Sequence, residues 1–458
     1  MEQRKRNQIM VLLFFGVLMG ALDIAIVGPA LPAIRNEFTS INERMLAWMF
    51  SIYVLFNLIG TPLMAKLSDL YGRRWIYILD IFLFAIGSLV VALSPTFTVV
   101  LVGRAIQGFG AGGIFPVASA VIGDTFPPEK RGGALGLIGA VFGLAFIIGP
   151  ILGGVILSQA TWHWLFLINL PVALILIVFS FSLLPSQKQT DVPPFDWVGM
   201  LLLSGALAAL AFGLGNIDTT AFFTSLLSSD VLPFLIAAVA LGLALIRAEK
   251  RAAYPILKPD LFKSRQLQLG YVIAAGSGLG EASLVFLPLL AVAALGVKES
   301  QASFLLMPVV LAMAVGSPLV GRLLDKVGSK RVILVGAVVL ATGMFLVSRF
   351  ASGMFTFILS GALIGFGLAA LLGAPVRYIM LNEVKATERS MAQGVVTVFT
   401  SIGQLVGSAV VGAVANSLGG GIPGYSASYL VIGIVSAFLI VAALGLKSRS
   451  EELNSIAV

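Results

Sequence analysis

Long runs of apolar residues separated by short polar stretches dominate this 458-residue chain. A run of roughly 17 to 25 such residues is what a helix needs to cross about 30 Å of hydrocarbon. Runs of that kind occur at 9–33, 46–66, 75–94, 98–122, 133–157, 163–184, 197–217, 231–248, 267–293, 301–322, 331–349, 354–378, 391–415 and 427–446. The pattern predicts fourteen transmembrane helices and an all-α membrane fold. Composition agrees: 59% of residues are hydrophobic, only 11% are charged, and the mean hydropathy is +1.03. Water-soluble domains carry about 25% charged residues.

One polar turn occurs twice. PLMAKLSDLYGRR, Pro62 to Arg74, returns as PLVGRLLDKVGSKR, Pro318 to Arg331, with Leu63, Leu67, Asp69 and Gly72 matching Leu319, Leu323, Asp325 and Gly328 without a gap. Identity in register points to an internal duplication. The offset exceeds half the chain length, so something extra lies between the copies. Two spans, 197–217 and 231–248, lie between the linkers PSQKQTDVPPFDW and RAEKRAAYPILKPDLFKSRQ and have no counterpart in the repeat. The expected organisation is a six-helix bundle over 1–185, a linker with two additional helices over 186–266, and a second six-helix bundle over 267–458. Pseudo-symmetric halves of this sort enclose a site near the midplane of the membrane.

The net charge of +8 could suggest a nucleic-acid partner, but the positions of the charges argue otherwise. With the N-terminus inside, all but five of the 29 Lys and Arg fall on the inner side. Arg35, Arg44, Lys298 and Arg349 fall outside, and Arg104 lies within a span. The positive-inside rule then places both termini in the cytoplasm. The first apolar run, about 25 residues long and containing Asp23, reads as a retained span rather than a cleaved signal. Basic residues between 247 and 266 are suited to anionic lipid headgroups.

The repeated turn resembles the signature loop of the major facilitator superfamily, G-x-L-x-D-x-x-G-R-R between the second and third spans. Ala65 takes the first Gly position, while Asp69, Gly72, Arg73 and Arg74 fit; the second copy keeps Gly321, Asp325 and Gly328 but has Ser329 and Lys330 where the arginines stand. LDIAIVGPALP (Leu22–Pro32), RAIQGFGAG (Arg104–Gly112) and GLAFIIGPILGG (Gly143–Gly154) are similar to the segments of drug:proton antiporters, with Ala25 in place of the usual Thr. WHWLFLINLP (Trp162–Pro171) and FDWVG (Phe195–Gly199) resemble the fourteen-span branch, although His163 stands where that branch usually has Arg. The resemblance covers essentially the whole chain. It implies the major facilitator fold, with two pseudo-symmetric six-helix bundles plus two inserted helices. It also implies proton-coupled export of lipophilic, cationic or neutral, drugs or toxic compounds by alternating access.

Ionisable side chains inside hydrocarbon are costly, so each is a candidate functional group. Asp23 lies about fourteen residues into the first span, roughly 21 Å at 1.5 Å per residue. Desolvation at that depth equips a carboxyl to exchange a proton near neutral pH, and the resemblance places the coupling acid here. The plainer reading is an acid satisfied by a neighbouring Ser, Asn or Arg that only joins helices. Glu281 lies mid-span in GSGLGEASLVFLP, beside Gly276, Gly278 and Gly280, which make backbone deformation inexpensive. It is read as a counter-ion for cationic substrate, a second protonation site or a helix-packing hydrogen bonder. Arg104, always charged, is expected to act on the nearby acid by a direct pair or by repelling a proton; otherwise it is a structural Arg on backbone carbonyls. Asp80, six residues beyond Arg74, is expected to form a local ion pair near the interface. Arg377 reads as an interfacial residue.

Asp69, Gly72, Arg73 and Arg74, with Asp325 and Gly328, read as a conformational latch in which the Asp69 carboxylate meets a helix N-terminus; the resemblance points to the thirteenth span, near Ser390. The bland alternative is a tight turn that only orients the chain. Gly139, Gly143, Gly149, Gly153 and Gly154, with Pro150, make a small-residue face suited to close helix contact, and the resemblance implies that this segment seals one side of the cavity. Asn57, Gln107 and Gln404 are polar span residues expected to line the substrate site with Asp23 and Glu281. Phe and Met, 31 and 13 residues, supply soft surfaces that accept varied lipophilic ligands. Gly108 to Gly113 spells G-x-G-x-x-G, but within a span rather than after a strand, so it is no dinucleotide site. His163, between Trp162 and Trp164, belongs to an interfacial aromatic belt.

With no Cys and a single His, thiolate chemistry and multi-histidine metal sites are excluded. No ATP-binding G-x-x-x-x-G-K-[ST] loop and no hydrolase H-E-x-x-H or G-x-S-x-G occurs, so neither ATP-driven transport nor an enzyme is expected. No cofactor is expected. The partners expected are protons, a lipophilic small molecule and membrane lipids, with the chain acting as a monomer in the cell membrane. The competing readings are export or flipping of an amphipathic lipid or other metabolite, and a non-transporting scaffold or sensor.

Overall fold

The computed structural model of the chain describes residues 3–184, 194–257, 259–384 and 389–456, and these are helical with no strand. Thirteen of the described helices are long and apolar enough to cross a membrane, and the shorter apolar helix Gly143–Gln159 occupies the fifth position in the expected order of fourteen spans.

Two compact units form. The first comprises residues 1–41 and 48–195. It contains α1 (Gln3–Glu37), most of α2 (Glu43–Tyr71), α3 (Arg73–Ala92), α4 (Phe97–Thr125), α5 (Pro128–Gln159), α6 (His163–Leu167) and α7 (Asn169–Leu183). Its core includes Leu13, Tyr77, Phe84, Val117, Ile138 and Leu176. The main pairings are α3 with α4, α1 with α5 and α3 with α7. Glycines allow close approach: a methyl group on Gly149 of α5 would lie 2.5 Å from the Ala25 side chain of α1, and one on Gly108 of α4 2.3 Å from the Tyr53 carbonyl of α2. Without a hydrophobic force between helices in lipid, such close backbone contact is what holds them together.

The second unit comprises residues 42–47 and 196–458. Here α8 (Trp197–Gly215), α9 (Phe222–Leu226) and α10 (Leu232–Glu249) form the inserted pair and its connection. Then follow α11 (Arg265–Ser283), α12 (Leu287–Leu295), α13 (Glu299–Phe304), α14 (Met307–Val327), α15 (Ser329–Phe350) and α16 (Met354–Leu372). The unit closes with α17 (Ala374–Glu383), α18 (Arg389–Ser417), α19 (Gly421–Leu444) and α20 (Arg449–Ile456). The helices α11 and α18 pack along their length, α15 packs with α16 and α19, and α8 packs with α10 and α18. Among the described residues α10 is mostly uncovered by protein, as suits a helix facing lipid on most of its surface.

Both copies of the repeated turn have the same backbone. Gly72 (φ 97°) joins α2 to α3, and Gly328 (φ 83°) joins α14 to α15. Any residue with a Cβ is disfavoured at these angles, which explains why glycine recurs there.

Candidate functional site: two polar clusters in apolar helices

The first cluster is built around Asp23. Arg104, from α4, donates through Nη1 to Asp23 Oδ2 at 2.5 Å, and neither side chain has any exposed surface. Gln107, one turn further along α4, donates to Asp23 Oδ1 at 3.0 Å and to Ser88 Oγ at 2.7 Å, while accepting from Arg104 Nη1 at 2.9 Å. Asn169, at the start of α7, donates to the same Ser88 hydroxyl at 3.2 Å. The guanidinium also donates through Nε to the Met49 carbonyl, 3.3 Å away, and its carbon lies 4.2 Å from the centre of the Tyr53 ring. A buried ion pair survives only with such additional hydrogen bonds and ring contacts, because two charges have been taken out of water. Arg104 is therefore paired directly with Asp23.

Five helices of one unit thus converge on a single carboxylate, and the sequence reading names three of the members, Asp23, Arg104 and Gln107. It does not single out Ser88, Asn169 or Tyr53. Asn169 does lie within the segment that resembles the fourteen-span branch; Ser88 and Tyr53 carry no local signal. An apolar pocket of about 200 Å³ is lined by Leu22, Ile26, Leu165 and the cluster's Asn169. A larger groove of about 840 Å³ lies between α1 and α7, shares Phe15 and Val172 with that pocket, and has Arg4, Asn7 and Gln8 among its lining residues.

The second cluster belongs to the other unit and is simpler. Glu281, on α11 and only partly covered, accepts one hydrogen bond from Gln404 Nε2 of α18 at 2.9 Å. No cation pairs with it among the described residues. Two glycines near it, Gly278 of α11 and Gly403 of α18, have a packing use. A methyl group on Gly278 would lie 2.0 Å from the Thr400 carbonyl, and one on Gly403 1.8 Å from that of Ala275. They bring α11 and α18 into backbone contact. The helical irregularity comes just after Glu281, at the 3₁₀ turn Leu284–Phe286 before α12.

Asn57 is not drawn into either cluster: on α2, its carbonyl accepts from the Thr61 hydroxyl at 2.8 Å. Of the fifth-span residues, Gly149, Pro150, Gly153 and Gly154 are buried, whereas Gly143 faces open space. The surroundings of Gly139 lie outside what is described.

In the first turn copy, Asp69 pairs with Arg73, whose guanidinium also donates to Ser68 Oγ (2.7 Å) and Asp124 Oδ2 (3.1 Å), and Arg74 donates to the Leu184 carbonyl at 2.7 Å. The side chains of Asp325 and Ser390 lie outside the described residues. In the second copy the place of Arg73 is taken by Ser329, whose backbone N–H and hydroxyl both donate to Glu452 of α20.

Asp80 corrects an expectation. It forms no local ion pair and is fully buried against Gly113 of α4. His163 stacks on Trp162 with ring centres 3.9 Å apart and lies 3.7 Å from Glu37.

Residues 13–248 and 270–457 match the family described as the Major Facilitator Superfamily, and the chain belongs to it. It is 34% identical over 407 residues to an uncharacterized MFS-type transporter, YfiU, of Bacillus subtilis, covering 88% of this chain and 78% of that one. The multidrug transporter protein MdtP of the same organism is 31% identical over 429 residues, covering 92% and 77%. The fold is shared with a solved bacterial homolog of the human lysosomal transporter Spinster, at 15% identity, a TM-score of 0.68 and coverage of 99% and 97%. The protein is thus a multi-pass membrane transporter, not an enzyme.

Proposed function

We propose that this transporter exports lipophilic compounds, cationic or neutral, in exchange for protons, and that Asp23 is the group that takes up and releases the proton. The observation that carries this reading is the sealed Asp23–Arg104 pair. A proton arriving on Asp23 cancels the charge that balances a guanidinium which cannot itself lose its proton, so the cluster must rearrange or admit another anion. Protonation is thereby tied to a change in shape. Gln107, Ser88 and Asn169 hold the carboxylate in place, and the buried small residues of α5 pack against the same stretch of α1.

Glu281 is the group proposed to meet the positive charge of a cationic substrate. Among the described residues its polar partner is neutral, it is only partly covered, and Gln404 orients it. The names of relatives such as MdtP support a drug-like substrate. In this reading both termini are cytoplasmic, the 1–185 and 267–458 bundles alternate access, the chain works as a monomer in the cell membrane, and the Pro62–Arg74 turn biases which side the site faces.

The test is reconstitution in proteoliposomes with an imposed pH gradient. Efflux of a lipophilic cationic dye should accelerate with the gradient and collapse when a protonophore removes it. Gradient-independent dye movement, or movement of labelled lipid between leaflets in its place, would contradict the proposal and favour lipid export.

A further inference from the structure

Asp80 is an acid in the middle of α3 that the proposed transport chemistry leaves unused. It sits on α3 with no exposed surface, and neither carboxyl oxygen has a hydrogen-bond partner. The carboxyl lies flat against α4 in the slot left by a missing side chain: a methyl group on Gly113 would fall 2.1 Å from Oδ2 and 2.3 Å from Oδ1. One turn earlier on α3, Tyr77 is equally buried, and its hydroxyl, also without a partner, points at Gly16 of α1.

Among the described residues, no charge is placed to balance an ionised Asp80. Along α3, Arg73 is bonded to Asp69, Ser68 and Asp124, and Arg74 to the Leu184 carbonyl. On α4, Arg104 belongs to Asp23 and Asp124 to Arg73. Near the far end of α3, His163 of α6 stacks on Trp162, and α7 carries no ionisable side chain. The ionisable residues of α1, namely Arg4, Lys5, Arg6, Asp23, Arg35 and Glu37, make no hydrogen bond or ion pair to Asp80. A carboxylate buried without a partner is so costly that the group takes a proton instead. The Asp23 cluster is a separate place: its Ser88 lies eight residues along α3, about 12 Å of helix, from Asp80.

We propose that Asp80 is a second proton-binding site, independent of Asp23, which holds its proton inside the α3–α4 seam and releases it when that seam admits water. Release requires the carboxylate to leave the Gly113 slot, so ionisation and parting of the two helices are one event. The seam then loosens as the surroundings become alkaline.

Infrared spectroscopy of the full chain in lipid nanodiscs tests the site. At neutral pH, the spectrum of the wild type minus that of Asp80→Asn should contain the C=O stretch of a protonated carboxylic acid, shifted in D₂O. Asp23→Asn should leave that band in place, so this assignment and that of Asp23 fail separately. A difference spectrum containing only ionised-carboxylate bands would overturn the proposal. Release is tested without relying on the spectrum. The chain has no cysteine, so a single L83C reporter can be placed at the seam, where Leu83 packs against Gly110. Its labelling rate, divided by the rate in the Asp80→Asn background, should rise severalfold from neutral to alkaline pH. A ratio flat with pH would refute seam opening on ionisation.

Discussion

Asp23 and Glu281 are both acids in apolar helices, one in each unit, yet their surroundings differ in kind. Asp23 is sealed from solvent, paired with Arg104 and fixed by Gln107, which is itself tied through Ser88 to Asn169. Glu281 is partly accessible and has one neutral partner, Gln404. The first arrangement suits a group whose charge state must be coupled to its neighbours. The second leaves a negative charge for something that arrives from outside. Depth in the membrane alone does not separate these roles; the partners do.

The comparison breaks most visibly at Arg104. Removing one member of a buried pair leaves an uncompensated charge, at a cost of about 3–5 kcal/mol. Arg104→Ala should therefore lower the melting temperature in detergent substantially, and Arg104→Ala combined with Asp23→Asn should recover most of the loss. If the double variant is no more stable than the single one, the pair is not the energetic unit described.

The support beneath Glu281 is sharpened by Gly278→Ala. The added methyl would press on the Thr400 carbonyl at 2.0 Å, and overpacking of this sort costs about 1–3 kcal/mol. Thermal unfolding should show that loss, together with weaker transport of every substrate because Gln404 moves with α18. The chemistry of Glu281 itself is probed more gently by Glu281→Gln. Export of cationic compounds should fall about tenfold, equivalent to ~1.4 kcal/mol, while neutral compounds are exported as before. Equal losses for both classes would move Glu281 to a coupling role.

The number and order of the spans were legible because apolar runs of membrane length are a strong signal, and the duplication was legible because Gly72 and Gly328 need the same positive φ. Family-like segments marked Asp23 and Arg104 as neighbours, whereas Gln107 was expected to line the substrate site rather than to hold Asp23. Ser88 and Asn169 were not visible, since a single Ser or Asn in an apolar helix carries no mark of which way it faces. The setting of Asp80 is hidden for a related reason. Nearness to Arg74 in sequence suggested an ion pair, but helix rotation turns Asp80 onto Gly113. The tie between Ser329 and Glu452 was equally hidden, because it joins residues of no periodic relation across 123 positions. The packing use of Gly278, which brings α11 against the Thr400 carbonyl of α18, carries no sequence signal of its own.

The central claim, that the sealed acid of the first unit carries the proton, is tested most directly by dye-driven proton flux in proteoliposomes containing Asp23→Asn. The amide keeps the shape of the carboxyl and its acceptor oxygen but has no proton to exchange. The account predicts that substrate binding persists while proton counterflow on adding dye disappears. Proton counterflow at the wild-type rate in this variant would contradict it.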